Sequence, residues 1–175
     1  MGNNKPLPHV VLVGFMGTGK STVSKQLANR LRCGTADIDA EIVQREGQAI
    51  ADIFAARGEA AFRLAETEAL ADVLGRSETL VIATGGGAVL AERNRTMMLQ
   101  GSFVVALTAD PEKIIARVSE DPARPLLQGD VRERVYKLLE DRKHAYDFAH
   151  LTVDTSNLSV EQVVEQIEHG IKMSF

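Results

Sequence analysis

Short runs of aliphatic and β-branched residues alternate along this chain with longer stretches whose apolar positions recur every three or four residues. Val10–Val13, Thr35–Asp37, Leu80–Ala83, Val104–Leu107 and Leu151–Val153 read as strands, and every interval between them carries helical periodicity. That alternation predicts an α/β fold, a parallel sheet covered by helices on both faces. The first helix is expected from Lys20 to about Arg32, with Val23, Leu27 and Leu31 on one stripe. Asp110-Pro111 reads as the cap and first residue of a later helix, and Ser159 with Gln162 as a capping box before the last. With 175 residues the chain suits one domain, 1–175.

The first strand runs straight into Gly14-Phe15-Met16-Gly17-Thr18-Gly19-Lys20-Ser21, and a helix follows at once. This is the strand–loop–helix setting of a phosphate-binding loop. Gly14 and Gly19 permit backbone angles that let successive N–H groups turn inward around a polyphosphate, and the helix N-terminus adds its dipole. Gly17, Thr18, Gly19, Lys20, Ser21 and Thr22 are therefore the expected nucleotide-binding residues. Lys20 supplies a point charge for the outer phosphates, and the Ser21 hydroxyl is the expected Mg²⁺ ligand.

Other chemistry is expected at the ends of later strands. Asp37-Ile38-Asp39 closes the second strand, and alternation there turns both carboxylates the same way at the edge where open α/β sheets bind ligands. Asp37 is assigned to the metal and Asp39 to a substrate hydroxyl, although strand-end aspartates also cap helices. Thr84-Gly85-Gly86-Gly87-Ala88 follows the third strand, and three glycines in a row suit either a ligand at the backbone or a tight turn. Arg63 and Arg142 lie on helical segments; converging, they would select a carboxylate, and apart they would be solvated or ion-paired. The breaker-rich stretch Asp121–Gly129 with its single Arg124 reads as a lid over a triphosphate, or as a plain connector.

Composition narrows the classes. Twenty-four acidic residues against 20 basic ones leave a net charge of −4 and no broad cationic face for nucleic acid. Cys33 is the only cysteine, so neither a disulfide framework nor a cysteine metal site is available, and it reads as a small filler after the first helix. No apolar run reaches membrane-spanning length, the first one is too short for a signal peptide, and Pro6 stands where a myristoylation signal wants Ser or Thr. A cytoplasmic protein is expected. The four histidines show no ligand spacing and read as structural or solvated. No long apolar stripe is left over for a partner, so a monomer is expected.

Taken in order, Gly14–Ser21, Asp37-Ile38-Asp39, Phe62-Arg63, Gly85-Gly86-Gly87-Ala88, Arg124-Pro125-Leu126-Leu127 and Arg142 resemble the shikimate kinases, from about His9 to Ile171. The resemblance implies a fold similar to nucleoside monophosphate kinases, a three-layer phosphate-loop fold with a five-stranded parallel sheet in the order 2-3-1-4-5. It implies transfer of the ATP γ-phosphoryl group to the 3-hydroxyl of shikimate, with Mg²⁺, on the route to chorismate and the aromatic amino acids. It further implies Lys20, Asp39 and Arg124 as catalytic residues, with Asp39 on the ring hydroxyls. Arg63, on substrate-binding helices around 40–74, would hold shikimate together with Arg142 and the Gly85, Gly86, Gly87 backbone, and Arg117 would lie near adenine with Arg124 on the phosphates from a lid around 121–130. Phe54 and Phe62 would wall the ring, and Glu66 would orient Arg63.

The chain departs from that pattern at Asp154-Thr155-Ser156-Asn157-Leu158, where some members carry an arginine, and its lid approach Ser119–Ala123 is unusually acidic. Gluconate kinase is the nearest alternative, but the chain has no tryptophan for that family's lid motif. A nucleoside monophosphate kinase lacks its D-G-[FY]-P-R segment here, and a nucleotide switch would need neither the Asp pair nor a small-molecule pocket.

Overall fold

The structure, a computed structural model, describes residues 6–120 and 130–175. Its centre is a strand buried at all six positions, β1 (His9–Gly14). Around it β2 (Gly34–Asp37), β3 (Leu80–Ala83), β4 (Ser102–Thr108) and β5 (Leu151–Asp154) form a parallel sheet in the order β2-β3-β1-β4-β5. The register sets Leu12 beside Ala83 and Gly14 beside Leu107.

Strand alternation divides the core. Val10 and Leu12 face one side with Val81, Val105 and Leu107, where α1 (Lys20–Leu31) and α7 (Val160–Ser174) cover them through Val23, Leu27, Val164 and Ile167. Val11 and Val13 face the other side with Ile82, Val104 and Ala106, beneath α2 (Ile38–Glu46), α3 (Ile50–Leu74) and α4 (Glu92–Gly101). A smaller cluster packs α5 (Pro111–Val118) and α6 (Val131–Asp141) onto Phe15 and Met16. The central strands β1, β3 and β4 are buried on both faces, which is why they read as nearly unbroken apolar runs, while the edge strands β2 and β5 are partly exposed.

Local signals hold with two differences. Ser159 and Gln162 form the expected capping box at α7, and Lys20 starts α1 with Arg32 in the left-handed conformation as its C-cap. Asp110 takes the N-cap position of α5, but its side chain makes no cap bond; its backbone N–H donates instead to Ser156 Oγ at 2.8 Å. The second difference is that β2 ends at Asp37, so Asp39 lies in the first turn of α2 and not on a strand. Asp37 closes the strand and caps the helix: its Oδ1 accepts the Ala40 N–H at 3.1 Å, so α2 opens at Ile38.

His9 is structural as expected, its Nδ1 accepting the Leu80 N–H at 3.1 Å. Cys33 is half-buried against the α1–α7 side. No helix among the described residues is long and apolar enough to cross a membrane.

Candidate active site

Because the chain winds from β1 first to one side and then to the other, the strand order reverses beside β1, and a crevice opens at the carboxyl edge there. It is a cleft of about 490 Å³ lined by the phosphate loop, the starts of α1 and α2, α3, the glycine turn after β3, and the ends of α5 and α6.

On the loop side, Gly17 and Gly19 hold positive φ of 76° and 93°, so the turn into α1 is open only to glycine-like backbones. The Lys20 ammonium donates to the Gly14 and Phe15 carbonyls at 2.7 and 2.9 Å, which curls it back along the loop. Thr18 is the loop residue whose side chain turns away from the cleft: it is buried and its Oγ1 donates to Phe15 O at 2.8 Å. Ser21 and Thr22 are exposed at the mouth, and Ser21 Oγ faces Asp37 Oδ2 at 3.4 Å. Asp37 thus caps α2 with one oxygen and faces Ser21 with the other. Arg117, on α5, reaches the loop and donates to Gly17 O at 2.7 Å.

Across the cleft, the three glycines are explained by what packs against them. A side chain at Gly85 would begin 3.1 Å from both Asp39 Oδ1 and Glu66 Oε2; at Gly86, 3.5 Å from Arg142 Nη1 and 3.4 Å from the Met16 N; at Gly87, within 2.6 Å of the Arg63 guanidinium. Three successive backbone positions therefore face four charged groups, and the turn brings Asp39, Glu66, Arg142 and Arg63 into one cleft.

Glu66 is almost wholly buried and its Oε1 accepts from Arg63 Nη1 at 3.0 Å. Burial pushes its carboxyl above the ordinary range, Arg63 works against this, and Asp39 adds to it. Arg63 also lies 5.2 Å over the Phe62 ring, and Phe62 packs on Phe54 with centroids 4.7 Å apart. Arg142 is 5% exposed and rests 5.8 Å over Phe15; its Nη1 has no hydrogen-bond partner among the described residues. A buried Nη1 without a partner is a ready donor to a carboxylate.

Arg124 and the lid stretch 121–129 lie outside the described residues. The described residues hold no group of three or more His, Cys, Asp or Glu in metal-binding array. Lys113 brings a cation to the loop after β5, where its ammonium donates to the Ser156 carbonyl and, at 3.2 Å, to Asn157 Oδ1.

Ile50 and Val118 also line the cleft and carried no signal, while Met16 and Thr84 line it from within the phosphate loop and the glycine run, where no role was assigned to them. Met16 occupies a variable position of the loop motif, and the other three are apolar or small residues that sequence cannot tell from core. Tyr146, whose hydroxyl donates to Gly86 O at 2.9 Å, carried only one signal, its place four residues after Arg142.

The fold and cleft define a phosphate-loop kinase, with a polyphosphate cradle on one wall and a charged small-molecule pocket on the other. The model of the family described as shikimate kinase matches residues 16–172. A shikimate kinase from Pelotomaculum thermopropionicum is 44% identical over 167 residues, covering 95% of this chain and 96% of that protein. A structure titled shikimate kinase from Acinetobacter baumannii in complex with shikimate superposes with a TM-score of 0.91 at 36% identity, covering 96% of this chain and 94% of that one. A gluconokinase from Sinorhizobium meliloti, at TM-score 0.63 and 17% identity, shares the fold alone. The chain belongs to the shikimate kinase family.

Proposed function

We propose that this protein transfers the γ-phosphoryl group of ATP to the 3-hydroxyl of shikimate, giving shikimate 3-phosphate and ADP. The observation that carries the proposal is the pair of guanidiniums, Arg63 and Arg142, both set against the Gly86–Gly87 backbone with Asp39 one glycine away. Two cationic forks fix a planar carboxylate, and an acid beside them orients a ring hydroxyl. Phe54 and Phe62 give the ring an apolar wall.

Each residue then has a task. Asp39 orients the attacking hydroxyl and takes its proton late, since a loose transition state asks for little base strength. Arg63, held by Glu66, and Arg142 grip the carboxylate. Lys20 exchanges its loop carbonyls for phosphate oxygens, with the backbone N–H groups of 17–22 around them. Arg117 lies at the nucleotide end, and Arg124 is proposed to meet the transferring group when the 121–130 stretch closes.

Ser21 Oγ and Asp37 Oδ2 would hold Mg²⁺. Two protein oxygens and no larger cluster suit a cation that arrives with its nucleotide and keeps several waters. When bound, it neutralises charge between the outer phosphates. We further propose a single domain over 1–175 that works as a monomer in the cytoplasm; the large exposed apolar side chains, such as Leu64, Leu90 and Phe175, fall on separate elements.

A coupled ADP-release assay with shikimate, gluconate and nucleoside monophosphates tests the proposal. Turnover with shikimate alone is expected. Gluconate as the better acceptor, or nucleotide binding with no turnover on any acceptor, would overturn it.

A further inference from the structure

Tyr146 is not among the residues lining the cleft, yet it bonds to the backbone that abuts the two guanidiniums. It lies in the turns that follow α6, and its ring packs with Phe148, Ala145 and Ala149 against the α2–α4 side of the core. From that apolar seat its hydroxyl donates to Gly86 O at 2.9 Å, across 60 residues of chain.

A peptide group is a rigid plane, so holding the carbonyl of residue 86 fixes the orientation of the whole 86–87 unit. A side chain at Gly86 would begin 3.5 Å from Arg142 Nη1 and 3.4 Å from the Met16 N, and one at Gly87 within 2.6 Å of the Arg63 guanidinium, so the unit abuts both cations. Glycine has the freedom to swing such a plane, and three in a row leave it with little intrinsic stiffness. The Gly85 and Gly87 carbonyls accept backbone N–H groups, from Ala88 at 3.2 Å and Leu90 at 3.1 Å, whereas the Gly86 carbonyl accepts the Tyr146 hydroxyl. The Tyr146 phenol is itself hard to ionise, because burial raises its pKa above the ordinary value while Arg142 and Arg63 oppose the rise, so it stays a donor across the neutral range.

We propose that Tyr146 is a positioning residue. Its hydroxyl locks the 86–87 peptide as the spacer that sets the separation of Arg63 and Arg142, and so tunes the cleft for the width of one carboxylate. The ligand assignment here rests on the shikimate reading given above; the lock on the peptide does not.

Tyr146→Phe keeps the ring and removes only the hydroxyl. We expect its shikimate KM to rise about tenfold, the effect of losing one buried hydrogen bond, with the ATP KM within about twofold of wild type. Hydrogen exchange of the unliganded variant, read on peptides covering 85–90, should speed up by a similar factor while other segments keep their rates. Unchanged exchange at 85–90 overturns the proposal whatever the kinetics. Equal rises in both KM values with general loss of protection also overturn it, because the hydroxyl would then be a stability element only. Should wild type fail to phosphorylate shikimate, the ligand assignment falls, and faster exchange confined to 85–90 would still support the lock.

Discussion

Replacing Gly87 with alanine inserts one methyl group at the point where backbone and substrate clamp meet. The backbone tolerates it: Gly87 has φ −95° and ψ 0°, angles open to any L-residue. The added Cβ would sit within 2.6 Å of the guanidinium atoms of Arg63, where ordinary contact begins at 3.4 Å. The guanidinium must therefore withdraw by about 1 Å. It is the far end of a flexible side chain, so the fold gives way cheaply, and alanine also restricts the unfolded chain slightly in the protein's favour. A charge-assisted bond of about 1.5–3 kcal/mol is strained or lost, which converts to roughly 10- to 150-fold in shikimate KM. The assay is steady-state kinetics with each substrate varied, beside a thermal melt. We expect the shikimate KM to rise in that range, the ATP KM to hold, and the melting temperature to move by no more than about 3 °C. An unchanged shikimate KM would refute the placement of Arg63 on the substrate.

Asp39→Asn should lower kcat by about a hundredfold or more while the ATP KM stays within about threefold; an unchanged kcat removes Asp39 from the chemistry. Glu66 has its carboxyl raised by burial, so the folded state holds a proton more tightly than the unfolded one, and stability falls as pH rises from the ordinary value of 4.5 through the raised one. Glu66→Gln lacks that titration, so thermal melts across this window should show the variant gaining on wild type as pH rises; parallel curves would contradict the buried-charge assignment. Ser159→Ala breaks the capping box of α7 and should cost about 1 kcal/mol, or roughly 2–4 °C, with both KM values unaffected. Melts and kinetics on that variant check both halves.

The three central strands were legible because each is a short apolar run buried on both faces, and the phosphate loop because its chemistry is local. What escaped depends on contacts between distant segments. That Asp39 begins a helix follows from Asp37 finding the Ala40 amide. The break within α3 at Gly58, with φ 83° and ψ 172°, sits inside an otherwise helical pattern that gives no warning of it. The meaning of Gly85-Gly86-Gly87 was undecided between ligand and turn, and the structure supplies a third reason: charged side chains from α2, α3 and the end of α6 pack where Cβ atoms would be. Arg142 read as a solvated helix residue on spacing alone, and its burial is set by Phe15, 127 positions earlier in the chain. The loop after β5 lacks the arginine its resemblance suggested, and Lys113 reaches that loop from α5, a contact that no linear pattern records.

The most direct measurement is a crystal structure of the protein soaked with ADP and shikimate. We expect the shikimate carboxylate between the guanidiniums of Arg63 and Arg142, and the 3-hydroxyl within hydrogen-bond distance of Asp39 on the side facing the phosphate loop. A carboxylate bound away from both arginines, or a ring whose 3-hydroxyl turns from the loop, would contradict the central claim.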